Sequence, residues 1–348
     1  MNRLDWIVLR RIAGRVGLTA LVLFGITALA VSLDTSRFNQ LSRIGGPLLG
    51  LVGIISSSLR TNIAVLPVTV LIGTIIGALD LQARREMTII KATGASIWRI
   101  ARAPLVAAVL LGAFAGLFAE SAVLETDRYL DLGEGRAGSI WLEQTGANGS
   151  YVLAASRSHA FGTALDGVTV FFTGQTPDRV TADSAKLVGN AWELDGAVRY
   201  RPDAAPEPLP GYRIATTTSA GDMRVKLTSA GELTIGELLG ALGARIADPD
   251  LRAGALTNLY KLFALPGLLA GSVLMGFAFT SGYRRTNKYG GTVLYGIVLG
   301  FVVYVVTELA TRSGVAGIVD PAFAAAGPAF VAIVIGLTVL LYREDGKA

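Results

Sequence analysis

The stretch ADSAKLVGNAWELDGAVRY, residues 182–200, decides the fold because its period differs from that of the apolar segments on either side of the surrounding block. It divides into three short segments and two turn pairs, which are Ala182 to Val188, Gly189-Asn190, Ala191 to Leu194, Asp195-Gly196 and Ala197 to Tyr200. Two-residue Gly, Asn and Asp pairs between alternating segments predict antiparallel hairpins. The stretch therefore predicts β-structure.

The same alternation extends through a polar block from about Glu120 to Ala255. Val168, Val170 and Phe172 alternate with other residues in one predicted strand. A run of short strands predicts a sandwich, jelly roll or open barrel rather than an α/β enzyme. The proline-rich piece Pro202 to Pro210 predicts a loop or an edge covering, because proline cannot donate to a sheet ladder.

The end of this block changes to helix. Thr234 and Glu237 have the spacing of a capping box, which predicts a helix start. This trailing helix is expected to lead through Asp248-Pro249-Asp250 to the next apolar segment.

Apolar runs flank the block on both sides, three before it and three after it. They are Val16 to Leu33, Thr61 to Leu79, Ala103 to Ala119, Leu262 to Tyr283, Tyr289 to Thr307 and Pro321 to Tyr342. Each is close to the roughly 20 residues that cross a bilayer as a helix. The sequence thus predicts an α-helical membrane protein with six transmembrane helices and an inserted all-β domain.

This pattern sets the expected domains. Residues 1–119 hold spans one to three with a cytoplasmic helix at about 81–100, residues 120–255 hold the β-domain and its trailing helix, and residues 256–348 hold spans four to six. A secretory signal ending near Ala28-Leu29-Ala30 is the competing interpretation of the N-terminus. Its apolar run is longer than a signal requires, which favours a retained span.

The outer connection after span one is itself apolar. Ile44 to Leu59 predicts a helix at the membrane surface or an outward extension of span two. Pro67 is expected to kink span two or to mark its first turn.

Basic residues lie in alternate connections, which indicates the orientation. They precede span one, follow span six, and occupy the connections between spans two and three and between spans four and five, at Arg3, Arg10, Arg11, Arg15, Arg84, Arg85, Lys91, Arg99, Arg102, Arg284, Arg285, Lys288, Arg343 and Lys347. The positive-inside rule places both termini in the cytoplasm and the β-domain outside. The formal charge of +5 therefore reflects membrane topology, and we expect no nucleic-acid partner.

Composition excludes several chemistries. Cysteine is absent, so disulfides, thiolate catalysis and zinc-thiolate sites are excluded. His159 is the single histidine, and we interpret it as structural rather than as a metal ligand. No glycine precedes a lysine at P-loop spacing, so the chain has no phosphate cradle of its own. We expect no metal, no cofactor and no catalytic residue.

Glycines four apart recur in the spans and permit close helix approach. The pairs are Gly73 and Gly77, Gly112 and Gly116, Gly267 and Gly271, and Gly296 and Gly300. They are consistent with a subunit interface or sliding gate, and equally with packing inside one subunit.

The connection from Leu81 to Ile100 is the sharpest local signal. Ala83, Met87, Ile90, Gly94 and Ile97 follow a near-heptad face of a predicted amphipathic helix, with charges elsewhere. Such a helix suits a groove on a cytoplasmic partner, or the headgroup layer with snorkelling arginines. Periodicity does not separate these alternatives.

The segment Ala83 to Ser96, with Glu86 and Gly94, resembles the glutamate-to-glycine coupling segment of the lipopolysaccharide export permeases, the LptF/LptG family. The likeness continues along the chain in order, at Leu66-Pro67, Trp141 with Gly146 to Tyr151, Leu233 to Leu239, and Lys261 to Pro266. It favours the LptG branch, with LptF as the close alternative.

The resemblance implies a non-catalytic inner-membrane permease subunit of an ABC-type exporter. Such a subunit pairs with its paralogue and with a dimer of the cytoplasmic ATPase LptB. It takes lipopolysaccharide from the outer leaflet of the inner membrane to the periplasmic jelly-roll proteins LptC and LptA. Extraction exposes acyl chains at about 0.8 kcal/mol per CH₂, so a partner must supply the energy.

The resemblance also assigns site residues. Glu86 matches the coupling glutamate, so we expect contact with the ATPase from Arg84, Arg85, Glu86, Met87, Ile90 and Gly94. Arg43 and Arg60 match basic positions near the lipid headgroup, and Arg37 lies close to another. Arginine suits phosphate because its planar fork makes bidentate contacts, although interfacial anchoring is the alternative. Asp34, Thr35 and Ser36 depart from the family at a basic position.

The β-domain interior is expected to shield the lipid, with Val168, Val170 and Phe172 along the route. Trp141 and Trp192 are expected in its core, and Glu308 is interpreted as an interfacial residue. A scaffold or receptor whose β-domain binds a periplasmic partner without transport is the alternative from another class. A lipoprotein-releasing permease is disfavoured, because that type has one span before its soluble domain.

Overall fold

The computed structural model describes the chain apart from residues 1–2, 34, 93, 95, 132–139, 147–148, 160–161, 173–177, 202–203, 229–232, 244–245, 247, 281–288 and 345–348. Two compact units are present. The first joins Met1–Asp127 with Thr257–Ala348, and the second is Arg128–Leu256. We call them the membrane unit and the β-unit.

The described helices, in chain order, are α1 (Arg3–Ser32), α2 (Thr35–Ala64), α3 (Leu66–Ala83), α4 (Glu86–Ala92), α5 (Ile97–Phe114), α6 (Glu120–Asp131), α7 (Ala220–Thr228), α8 (Ile235–Gly243), α9 (Pro249–Thr280), α10 (Tyr289–Val315) and α11 (Pro321–Glu344). A π-helical turn, Ala115–Ala119, joins α5 to α6.

Six of the described helices are long and apolar enough to cross a bilayer. The segments are Asp5–Ser32, Leu66–Ala83, Ile97–Thr126, Pro249–Thr280, Val293–Val315 and Pro321–Tyr342. Three precede the β-unit and three follow it, so the predicted six-span architecture with an inserted β-domain is confirmed.

The connection after span one is a helix of 30 residues, α2, which is longer than the predicted Ile44 to Leu59. Only Val65 separates α2 from α3, and Pro67 lies in the first turn of α3, where its missing N–H costs no hydrogen bond. The side-chain amide of Asn62 donates from Nδ2 to Thr27 Oγ1 at 2.7 Å, which links α2 to α1.

The glycine pairs pack inside the subunit. A Cβ atom at Gly73 would lie 2.5 Å from the Cα of Val16, and one at Gly112 would lie 2.6 Å from the Cα of Pro266. These contacts join α3 to α1 and α5 to α9. Similar close approaches, with partners in the same chain, occur at Gly77, Gly116, Gly271, Gly296 and Gly300. The intrasubunit alternative accounts for these glycines without a gate.

The β-unit is an eight-stranded antiparallel sheet. Its strands are β1 (Ile140–Gly146), β2 (Gly149–His159), β3 (Ala164–Phe172), β4 (Arg179–Val188), β5 (Ala191–Asp195), β6 (Val198–Arg201), β7 (Ala204–Pro208) and β8 (Arg213–Ala215). They pair in the order β1-β2-β3-β4-β5-β8, with β6 beside β4 and β7 beside β6.

One predicted hairpin forms and the other does not. Gly189 has φ 61° and joins the paired strands β4 and β5, as the sequence predicts. Gly196 has φ 65° but joins β5 to β6, which do not pair with each other. Both strands instead pair with β4, β5 along residues 184–188 and β6 along residues 179–181. The prediction of a hairpin at Asp195-Gly196 was wrong because β4 is long enough to carry two partners.

Residues 204–208 of the proline-rich piece form the edge strand β7, and all five are exposed. The edge covering is thus the favoured alternative, and an edge position suits prolines that cannot donate on both sides. Helix α8 begins as predicted, with the Thr234 amide donating to Glu237 Oε2 at 2.8 Å. Helix α7, which the sequence pattern did not reveal, has a reciprocal cap between Ser219 and Asp222.

The ends of the sheet are held together at one place by a buried polar group. Gln144 Oε1 accepts hydrogen bonds from Tyr151 Oη, Trp192 Nε1 and Thr216 Oγ1 at 2.8–2.9 Å. Burial raises the pKa of the Tyr151 phenol, which keeps it a protonated donor. Beside this group the Thr217 amide donates to the Thr145 carbonyl at 3.0 Å, which links β1 to the chain after β8.

Replacing Gly73 by leucine is expected to destabilise the membrane unit by about 1–3 kcal/mol, because the backbone of Val16 cannot move away from a side chain there. The midpoint of thermal unfolding of the purified chain in detergent measures this. Gly25→Leu on α1 is the matched control, since a Cβ atom added there would have no atom within 4 Å. Its unfolding midpoint should equal that of the unmodified chain. Equal midpoints for the two variants would contradict the proposed packing role.

Candidate functional site

Five charged side chains gather where span one meets the connection between spans two and three. We call them the coupling cluster, and they are Arg11, Arg15, Asp80, Arg84 and Glu86. Arg11 Nη2 donates to Glu86 Oε1 at 2.7 Å. Arg15 Nη2 and Arg84 Nε each lie 3.3 Å from Asp80 Oδ1. The cluster therefore joins α1 to the end of α3 and to the start of α4.

Local backbone geometry places Glu86 in this cluster. Helix α3 ends at Ala83, and the Arg84 amide donates to the Asp80 carbonyl at 3.2 Å. Arg85 has φ 59°, a left-handed conformation that a residue with a Cβ rarely adopts. The chain turns there, and α4 starts at Glu86.

The connection differs from the single amphipathic helix predicted at about 81–100. It consists of the end of α3, the seven-residue helix α4 and the start of α5. Gly94 has φ 78° and Ser96 caps α5, so both positions interrupt the helix. Heptad spacing did not reveal these breaks, because it reports the periodicity of the side chains and not the sign of the backbone angle φ.

Part of the predicted apolar face turns toward the protein, whereas Ala83 and Gly94 are exposed. Met87 is 5% exposed and lies in one core cluster with Leu81 and Ile97, and Ile90 packs against that cluster. Ile89 on the other side of α4 is 65% exposed. The sequence pattern did not single out Ile89, although a residue two positions after Met87 on a helix points roughly the opposite way.

The same connection is tied to span four. Gln82 Nε2 donates to the carbonyl of Thr280, the last residue of α9, at 2.8 Å. The ends of α3 and α9 are thereby linked next to the coupling cluster.

The predicted headgroup arginines are described only in part. The side chains of Arg37 and Arg43 lie outside the described part of the structure, although both residues belong to α2. Arg60 is partly buried and interacts electrostatically with Glu120, as does Lys261. Glu120 directly follows the π-helical turn, a feature that is frequent at functional sites. The group of Arg60, Glu120 and Lys261 was not foreseen, because its members come from three separate segments.

The strand predicted to line the lipid route has the expected faces. Val168 and Val170 are buried in the interior of the β-unit, and Phe172 is half-buried with its ring 6.0 Å from that of Tyr151. A cavity of about 40 Å³ lies beside Phe172, lined also by Gly146, Gly149, Tyr212, Arg213, Ile214 and Ala215. Phe171 points to the opposite face of the sheet.

The two tryptophans of the β-unit divide between its faces. Trp192 is fully buried, as expected. Trp141 is 61% exposed and stacks on Phe171 with ring centroids 6.0 Å apart. The expectation that Trp141 lies in the core was wrong, because odd positions of β1 face outward.

The remaining candidate residues from the sequence are His159 and Glu308. The side chain of His159 lies outside the described part of the chain. Within the described part, no group of three or more His, Asp or Glu residues could hold a metal ion. Glu308 pairs with Arg312 one turn away at 2.7 Å, an exposed contact on α10.

A comparison with family models settles the kind of protein. The model of the lipopolysaccharide export system permease LptF/LptG matches residues 6–343, nearly the whole chain. The chain belongs to the LptF/LptG family. A comparison with curated proteins gives no match.

Family membership makes the chain a multi-pass inner-membrane permease subunit of a lipopolysaccharide export complex that includes other Lpt proteins. The match covers all six spans and the β-unit, so it includes the coupling cluster and the interior strand. The family match does not distinguish LptF from LptG, so the LptG assignment stays a prediction.

Gly94→Ala is expected to loosen the connection, because the left-handed conformation costs a residue with a Cβ about 1–2 kcal/mol. Tryptic cleavage after Lys91 in the folded chain should then accelerate by about 5- to 30-fold. Gly94→Asn should accelerate it less, since asparagine tolerates this conformation.

Gly17→Ala is the matched control for this test, because no atom lies within 4 Å of the position of its Cβ and its φ is not positive. Its cleavage rate should equal that of the unmodified chain. Equal rates for Gly94→Ala and Gly94→Asn would show that backbone conformation is not the reason for glycine at this position.

Proposed function

We propose that this chain is the permease subunit of an ABC-type exporter that extracts lipopolysaccharide from the outer leaflet of the inner membrane. It passes the lipid to a periplasmic jelly-roll bridge, and a separate cytoplasmic ATPase supplies the energy. The observation that carries the proposal is the family match, which extends over both the membrane spans and the inserted β-unit. A lipid taken from the membrane thus has an apolar β-interior in the same chain to enter.

The proposed complex contains four further components. A paralogous subunit, LptF if this chain is LptG, completes the permease. Two copies of LptB form the ATPase, and LptC and LptA continue the jelly-roll path. The Lys and Arg asymmetry between connections supports cytoplasmic termini and a periplasmic β-unit.

The ATPase is proposed to dock on the connection that contains α4. Arg84, Arg85 and Ile89 are exposed there and can reach a partner. Met87 and Ile90 support the segment from inside, and Gly94 sets the turn that follows. Glu86 is proposed to couple the ATPase to the spans, and its contact with Arg11 shows that it is also bound within the chain.

The β-unit is proposed to receive the acyl chains through a seam between β1 and β8. These strands are the two ends of the main sheet, and hydrogen bonds from Thr217 to Thr145 and from Thr216 to Gln144 join β1 to the chain after β8. The cavity beside Phe172, about 40 Å³, has room for about one water molecule and none for an acyl chain. Passage of lipid therefore requires the sheet ends to separate.

Photocrosslinking in the reconstituted complex tests the proposed route. A crosslinking residue at Val168, Val170 or Phe172 should capture lipopolysaccharide only when ATP can be hydrolysed, and most strongly at Phe172 beside the cavity. Apolar side chains in a β-interior shield acyl chains from water, which is the physical reason for capture there.

Thr169 and Phe171 are the matched controls for this experiment, since they alternate with the interior residues and point away from the interior. They should give at least tenfold less product, a ratio equivalent to about 1.4 kcal/mol. Equal capture from both faces, or none in an active complex, would remove this strand from the route and favour the scaffold alternative.

Orientation is tested by cysteine labelling, which the Cys-free chain permits. In spheroplasts an impermeant thiol reagent should label Glu207→Cys on the exposed strand β7 and should not label Ile89→Cys on α4. Both should react after the membrane is permeabilised. The reverse pattern would overturn the proposed orientation and the direction of transport.

A further inference from the structure

The residue expected to contact the ATPase is occupied within its own chain. Glu86 Oε1 accepts from Arg11 Nη2 at 2.7 Å, across 75 residues of sequence. Its other oxygen, Oε2, is buried and has no hydrogen-bond partner among the described residues. In this conformation the Glu86 carboxylate points into the protein, toward span one.

Span one is joined by ion pairs to the three helices of the connection, α3, α4 and α5. Arg11 and Arg15 lie four residues apart, one turn of α1, and reach Glu86 of α4 and Asp80 of α3. Asp5 of α1, only 3% exposed, accepts from Arg102 of α5 with atoms 2.5–3.1 Å apart. The start of α1 therefore has ionic contacts with the helix before α4, with α4 itself and with the helix after it.

The Arg11–Glu86 pair is the contact in this set that belongs to α4. Its side chains are about one-third exposed, 34% and 29%, so water reaches the pair and it can break and reform. A short helix between a left-handed residue, Arg85, and a left-handed glycine, Gly94, can shift as one piece.

We infer that Arg11 is the positioning residue through which Glu86 links α4 to span one, so that a shift of α4 moves α1. This deepens the proposed function and depends on it, because a shift of α4 has a purpose only if an ATPase acts there. Glu86 then reaches span one through a group in its own chain, and the connection around it contacts the ATPase.

A double-mutant cycle in the reconstituted complex tests the link. The variants are Arg11→Ala, Glu86→Ala and the double variant, with lipopolysaccharide released per ATP hydrolysed as the readout. Each single change is expected to lower this ratio by about tenfold while the ATPase still copurifies. The double variant should be no worse than either single one, because two residues that act as one pair are not additive.

Two further variants sharpen the cycle. Arg11→Lys keeps the charge but not the planar guanidinium group. The lipopolysaccharide released per ATP should therefore recover in part relative to Arg11→Ala. Arg10→Ala is the matched control, because Arg10 is exposed, adjacent, and not in ion-pair contact with any described carboxylate. If an alanine variant does not assemble, Arg11→Gln and Glu86→Gln repeat the cycle with nearly unchanged side-chain length.

The outcomes separate this inference from the proposed function. Multiplicative losses, about 100-fold in the double variant, would overturn the link. So would loss of the ATPase with Glu86→Ala and a normal ratio with Arg11→Ala, since Glu86 would then act on the ATPase without Arg11. Failure of the unmodified complex to release lipopolysaccharide would overturn the proposed function itself.

Discussion

The bilayer core offers no water to backbone amides and carbonyls, and this constraint shapes the membrane unit. Each span is a helix because only a helix satisfies these groups within one segment. Once formed, the helices gain little from the hydrophobic effect, because lipid tails are as apolar as leucine. Close packing must hold them instead. The glycines of α3 and α5 supply it, by letting the backbones of Val16 and Pro266 approach to distances that a methyl group would block.

At the ends of the spans, ion pairs join the helices. Arg11, Arg15 and Arg102 pair with acidic residues of other helices near the boundary, where water and headgroups reduce the cost of ionisation. Exposed pairs such as Arg11–Glu86 contribute about 0–1 kcal/mol each, whereas the Asp5 carboxylate paired with Arg102 is buried and that pair is costly to break. Their value is in orientation, since each one fixes which helix faces which. The coupling cluster therefore contributes to the orientation of the helices more than to the stability of the fold.

The β-unit is exposed to water, so the hydrophobic effect contributes more to its stability than it does in the membrane unit. Water satisfies its exposed strand face, so burial of one apolar face drives its folding. Trp192, Leu153 and Val170 fill the interior, and the Gln144 hydrogen bonds satisfy the polar groups buried with them. A lipid passenger would compete for that same apolar interior. On the proposed route this competition would begin at Phe172, which is half-buried beside the small cavity.

The sequence by itself determined most of the elements and some of their faces. Hydropathy located six spans, alternation placed Val168 and Val170 on one face, and the Thr234–Glu237 spacing marked a helix start. These features depend on residues close in sequence, and local pattern records them. The resemblance at Glu86 and Gly94 likewise identified the family that the whole-chain match shows.

Only the tertiary structure decided which faces meet. Glu86 finds Arg11 on another helix, Gly73 meets Val16, and Met87 turns inward while Ile89 stays exposed. No periodicity within one segment specifies its partner, because packing between helices depends on the shapes of both. The same reason explains Trp141, whose strand face was evident only once its neighbours in the sheet were known.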